Sequence, residues 1–125
     1  MLSVMACGRS VAPEFQTYLT DFEADAKRFG RDVNTDSISI SFGDTGSPNN
    51  GAICHTGSKE IIVQKALWDV DDDTERKIIV YHELGHCVLG LDHSTELGIM
   101  YPSRVPEVVY KLNPDSFLTK FFEVK

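Results

Sequence analysis

The chain has 125 residues, 42% of them hydrophobic and 25% charged, the composition of one globular domain with a single core. A net charge of −7 argues against nucleic acid and anionic membrane surfaces as partners. No apolar run approaches the roughly 20 residues that would span a bilayer, so no transmembrane segment is expected.

Residues 1–12 lack periodicity and read as an N-terminal tail. Within them, Val4-Met5-Ala6-Cys7-Gly8 resembles the end of a bacterial lipoprotein signal, in which the cysteine carries the lipid. A plain tail with a stray cysteine fits equally. The lipoprotein reading predicts an exported chain with a lipid anchor at Cys7. From Pro13, an apolar stripe of Phe15, Tyr18, Leu19, Phe22, Ala26 and Phe29 at helical spacing predicts a helix stopped by Gly30. Ser37 to Phe42 alternates strictly and predicts a half-buried strand, followed by a loop from Gly43 to Gly51. Gly51 to His55 is a short strand candidate, and Lys59 to Trp68 a longer one. His55 reads as a surface histidine, with a ligand role as the alternative.

Asp69, Asp71, Asp72 and Asp73 precede the next helix, predicted from Thr74 to Leu89. Asp72-Asp73-Thr74-Glu75 spells a capping box, with Ca²⁺ binding by the same acids as the functional alternative. That helix carries His82-Glu83-Leu84-Gly85-His86, which is H-E-x-x-H. Its two histidines stand one turn apart on one face, and neutral imidazoles so placed can share a Zn²⁺ with Glu83 beside them. Gly90 can take a left-handed conformation, end the helix and turn His93 back as a third ligand. Three nitrogen ligands leave a fourth position for water, as in catalytic zinc sites. Asn113-Pro114 predicts the start of a last helix with Phe117, Leu118, Phe121 and Phe122 as its buried stripe.

Leu91-Asp92-His93-Ser94 followed by Ile99-Met100-Tyr101-Pro102-Ser103 resembles the third-ligand segment and Met-turn of the metzincin zinc peptidases, most nearly the matrixins. The specific motif covers His82 to Ser103, and the layout of elements covers Pro13 to Phe122. The resemblance implies an α+β, zincin-like fold: a small twisted mixed sheet, an N-terminal helix, a central active-site helix, a Met-turn at Met100 and a C-terminal helix, all in one domain over residues 13–125. It implies a zinc metalloendopeptidase, with His82, His86 and His93 on the metal, Glu83 as general base, and Met100 as a hydrophobic base under the ligands. An extended peptide or protein substrate would lie along Gly51, Ala52 and Ile53 as an added strand, with Tyr101 and Pro102 walling the adjoining pocket; a monomer is expected.

One departure is plain. The family pattern has two residues between the second histidine and the glycine, whereas Cys87, Val88 and Leu89 stand there. One extra helical residue turns the exit by roughly 100° and adds about 1.5 Å, to be absorbed by a longer helix or a π-bulge. If it is not absorbed, Glu107 lies at the separation used by gluzincins for a carboxylate ligand. A non-catalytic zinc-stabilised binding or inhibitor module is the alternative outside enzymes. Latency through Cys7, as in matrixin propeptides, is a further one. Cys54 and Cys87 are left as an even pair, either a disulfide suited to export or two buried thiols.

Overall fold

The computed structural model describes residues 10–123; Cys7, and with it the lipid-anchor and latency readings, lies outside them. The fold is α+β, with five helices and one three-stranded mixed sheet. In chain order these are α1 (Pro13–Arg28), β1 (Ser39–Phe42), β2 (Ala52–His55), β3 (Glu60–Val63), α2 (Lys65–Val70), α3 (Asp73–Cys87), α4 (Glu107–Leu112) and α5 (Pro114–Phe121).

Strand β3 is central, parallel to β1 and antiparallel to β2. The register sets Ile40 beside Ile61 and Ala52 beside Val63, all four buried on one face. Ser10 to Ala12, the end of the expected tail, run beside β1: Ile40 N–H donates to Ser10 O, and Ala12 N–H donates to Ile40 O. They occupy the edge of β1, while β2 forms the opposite edge.

Proline at its first position opens α1, and Gly30 at φ +87° ends it, as its sequence predicts. Its stripe of Phe15, Leu19, Phe22 and Ala26 is fully buried. Each such aromatic contributes about 1.5–3 kcal/mol by leaving water. Phe22 packs edge-on against Tyr81 of α3 at 5.3 Å between ring centroids, and Phe121 and Phe122 close over the same ring. The Tyr81 hydroxyl donates to Asp25 of α1 at 2.7 Å, so the deepest tyrosine is satisfied.

The expected long strand from Lys59 to Trp68 is corrected. Only Glu60–Val63 is extended, and Lys65–Val70 is the helix α2. The run alternates as far as Val63 and then changes to helical spacing, because Trp68 must turn inward onto Phe15 and Phe42. Helix α4 is equally unannounced; its six residues bury Tyr110 and leave Val108 and Leu112 exposed. Asn113 caps α5 as expected, its side chain accepting from Ser116 N–H.

Candidate metal centre

Helix α3 positions the candidate site, and its start is fixed locally. Asp72 accepts from Glu75 N–H, and Glu75 accepts from Asp72 N–H, each at 2.9 Å. The capping box read from the aspartate run is present, typically worth about 1 kcal/mol of helix stability. The helix lies against β2 and β3 on one side and α1 on another.

Its exit shows how the additional residue before Gly90 is absorbed. The helix ends at Cys87, two residues earlier than its apolar pattern predicts. Val88 N–H still reaches Leu84 O, Leu89 N–H reaches back five residues to the same oxygen, and Leu91 N–H spans six residues to Gly85 O. The last turn is thus widened rather than the helix lengthened. Gly90 sits at φ +68°, where only glycine is unstrained, and reverses the chain. Lys59 supports this end from the sheet, donating from Nζ to Cys87 O at 2.9 Å, although its own backbone is held at φ +59°.

The widened turn brings His93 onto the two helix histidines. Nitrogen atoms of His82, His86 and His93 all lie within 4.8 Å of one another, a spacing that can hold one metal ion. The ring centroids are 4.9, 5.2 and 4.9 Å apart, and His93 is the most exposed of the three. Two rings are oriented by main-chain acceptors. His82 Nδ1 donates to Ile99 O and His86 Nδ1 donates to Leu91 O, both at 2.7 Å. A carbonyl can only accept, so these bonds place the proton on Nδ1 and leave each Nε2 lone pair free for a metal. Burial holds His82 well below the usual imidazole range, down to about 4, with His86 and His93 adding to the effect against the bond to Ile99. A neutral ring is the form that ligates.

Glu83 is the buried acid of the site, with 7% of its surface exposed. Burial pushes its carboxyl up to about 7, and the backbone N–H of nearby Cys54 opposes that rise. The register explains why this donor is available. Gln64 N–H bonds to Gly51 O, so Gly51, Ile53 and His55 face β3, while the polar groups of Ala52 and Cys54 point out of the sheet edge.

A cavity of about 210 Å³ opens beside His82 and Glu83. Tyr101 and Pro102 line it together with Gly51 and Ala52 of the edge strand, and Ile53 does not. Its apolar walls include Leu67, Ile78, Ile79 and Val105. Glu75 and Arg104 add a charged end: Arg104 pairs with Glu75 at 3.2 Å and with the buried Asp71. Leu67 and Arg104 carry no such signal in the sequence, since the run through Trp68 predicts a strand and nothing ties Arg104 to Asp71.

Met100 is buried against Gly85 of α3, where an added Cβ would lie 2.5 Å from the sulfur. Ser94 N–H donates to Met100 O, tying the histidine loop to this turn. Cys54 and Cys87 form a disulfide between β2 and α3, so of the two readings of this pair the bonded one holds. His55 is exposed and outside the histidine group. Glu107 falls with Asp72 and Glu75, not with the histidines, so the carboxylate-ligand alternative is corrected: α4 carries it to the other end of α3. That acidic trio could also hold an ion, although Glu75 is already engaged by Arg104 and by the capping box.

Compared with protein-family models, with curated proteins and with solved structures, the chain matches none.

Proposed function

We propose that this chain is a zinc-dependent endopeptidase of metzincin type, similar to a matrixin catalytic domain in minimal form. One observation carries the reading: three histidine nitrogens converge within 4.8 Å, two of them with Nδ1 already bonded to carbonyls, beside the buried Glu83. This donor set fits zinc, which favours neutral imidazoles and, with three of them, keeps a fourth position open. When bound, zinc supplies Lewis-acid activation of water and of the scissile carbonyl. The zincin-like assignment of the fold belongs to the same proposal, supported by the order of strand, edge strand, strand and metal helix followed by the Met100 turn.

The chain's own residues perform the rest. Glu83, its carboxyl raised to about 7 by burial, takes the proton of the attacking water and returns it to the leaving amine. The outward N–H and C=O groups of Ala52 give an extended substrate an edge to pair with. The side chain following the scissile bond enters the cavity between Leu67, Ile79, Tyr101 and Pro102. Met100 and Gly85 pack beneath and keep the ligand loop seated. Among the described residues no helix is long and apolar enough to cross a membrane. A disulfide suits an exported protein, in line with the lipoprotein-like residues around Cys7.

The test is cleavage of a mixed peptide pool by the zinc-loaded chain and by Glu83→Gln, read by mass spectrometry. Cuts by the wild type alone, with one zinc bound to each protein, are expected. Bound zinc with no cuts from either would favour a non-catalytic binding module.

A further inference from the structure

Cys54 ties β2 to α3 through its side chain, which is bonded to Cys87. Glu83 and Cys87 are four residues apart on the helix, one turn on the same face, while His82 and His86 occupy the neighbouring face. The disulfide, with 6.0 Å between Cα atoms, therefore grips β2 one turn beyond Glu83. The other polar link from the β2–β3 turn to the end of α3 is Lys59, which also bonds to Cys87, at its carbonyl.

We propose that the Cys54–Cys87 disulfide is a positioning device: it fixes the outer edge of β2 against α3, so that substrate pairing with Ala52 keeps one geometry relative to Glu83. The inference rests on the peptidase reading for its kinetic part and on geometry alone for its mechanical part. The metal ligands do not depend on the bridge, since His82, His86 and His93 are set by α3, Gly90 and the carbonyls of Leu91 and Ile99. Cutting the bridge leaves the metal site in place and lets the edge strand drift. The reduced chain is the slack form. Misplacement of a substrate-positioning group by about 1 Å can cost on the order of 100-fold in rate.

The experiment compares the intact chain with Cys54→Ser/Cys87→Ser and with wild type reduced by a phosphine, well below the unfolding temperature of each. Three quantities are read: zinc affinity by chelator competition, amide exchange along β2 and α3, and kcat and KM on one peptide. The expected result is zinc affinity within about threefold and exchange at Ile53 and His55, whose N–H groups face β3, faster by tenfold or more with Val80 and Leu84 unchanged. We also expect kcat/KM to fall at least tenfold, chiefly through KM. A plain stability staple would accelerate exchange uniformly or not at all and leave kcat/KM unaltered, which overturns the proposal. If the double variant fails to fold, the reduced wild type carries the comparison. If the intact chain cleaves nothing, the peptidase reading fails, and selective exchange at β2 still decides whether the bridge positions the edge.

Discussion

Gly85 sits in the last turn of α3, between the two histidines, where helix propensity alone favours alanine by about 1 kcal/mol. The structure gives the reason for glycine. A Cβ there would lie 2.5 Å from Met100 Sδ and 2.8 Å from Phe121 Cε1. Methionine can yield, but Phe121 is 4% exposed and packed against Phe22, Tyr81 and Phe122, so the ring has little room. Overpacking of this kind costs about 1–3 kcal/mol, and two close contacts point to the upper part of that range. Gly85→Ala is therefore expected to be destabilised by about 1–2 kcal/mol net, lowering the unfolding temperature by roughly 3–6 °C. Displacing Met100 also moves Ile99, whose carbonyl holds His82, so zinc affinity should fall about tenfold. Calorimetry of the metal-free protein and chelator competition measure the two effects. An alanine variant more stable than wild type by about 1 kcal/mol, with unchanged affinity, would refute the reasoning, because propensity would then have outweighed packing. In a Met100→Ala background the same Gly85→Ala change should cost less, since the first collision is with the methionine sulfur.

The pH dependence of stability in the metal-free protein has an unusual expected form. Glu83, raised from about 4.5 to about 7, stabilises fully below pH 4.5 and loses this contribution as pH rises to 7. His82, lowered from 6.5 to about 4, stabilises above pH 6.5 and loses this as pH falls to 4. Their opposite slopes cancel between about pH 4.5 and 6.5; in Glu83→Gln the histidine is unmasked, and denaturant titrations should show stability rising by about 3 kcal/mol from pH 4 to 6.5. A flat profile in that variant would contradict the assignment. Arg104→Ala leaves the buried Asp71 carboxylate without its cation, and about 2 kcal/mol should be lost, discounted from the usual 3–5 because Arg104 is half exposed. Most of that loss should vanish in an Asp71→Asn background, as a double-mutant cycle by urea unfolding would show. Lys59→Met should cost about 1.5–3 kcal/mol by removing the bond to Cys87 O, whereas Lys59→Gly recovers about 1 kcal/mol of it by relieving the left-handed backbone. Equal melting temperatures for the two variants would show that the φ carries no strain.

What the sequence determined is local. The H-E-x-x-H spacing, the capping box at Asp72, Pro13 and Gly30 bounding α1, Gly90 at the helix exit and Asn113-Pro114 at α5 each act through neighbours within one or two turns, and all are present as read. The tertiary structure decided matters that depend on distant partners. Strand β3 stops at Val63 because Trp68 packs on α1 and β1, which no window of ten residues contains. The extra residue before Gly90 was visible, but only the wide turn anchored on Leu84 and Gly85 brings His93 to the other histidines. The acceptors that orient His82 and His86 are backbone carbonyls, which carry no residue signature. Asp71 with Arg104, and Cys54 with Glu83, are likewise meetings of separate elements. Propensity and periodicity describe a chain's nearest neighbours, whereas the meeting of three histidines beside an edge strand is made by packing.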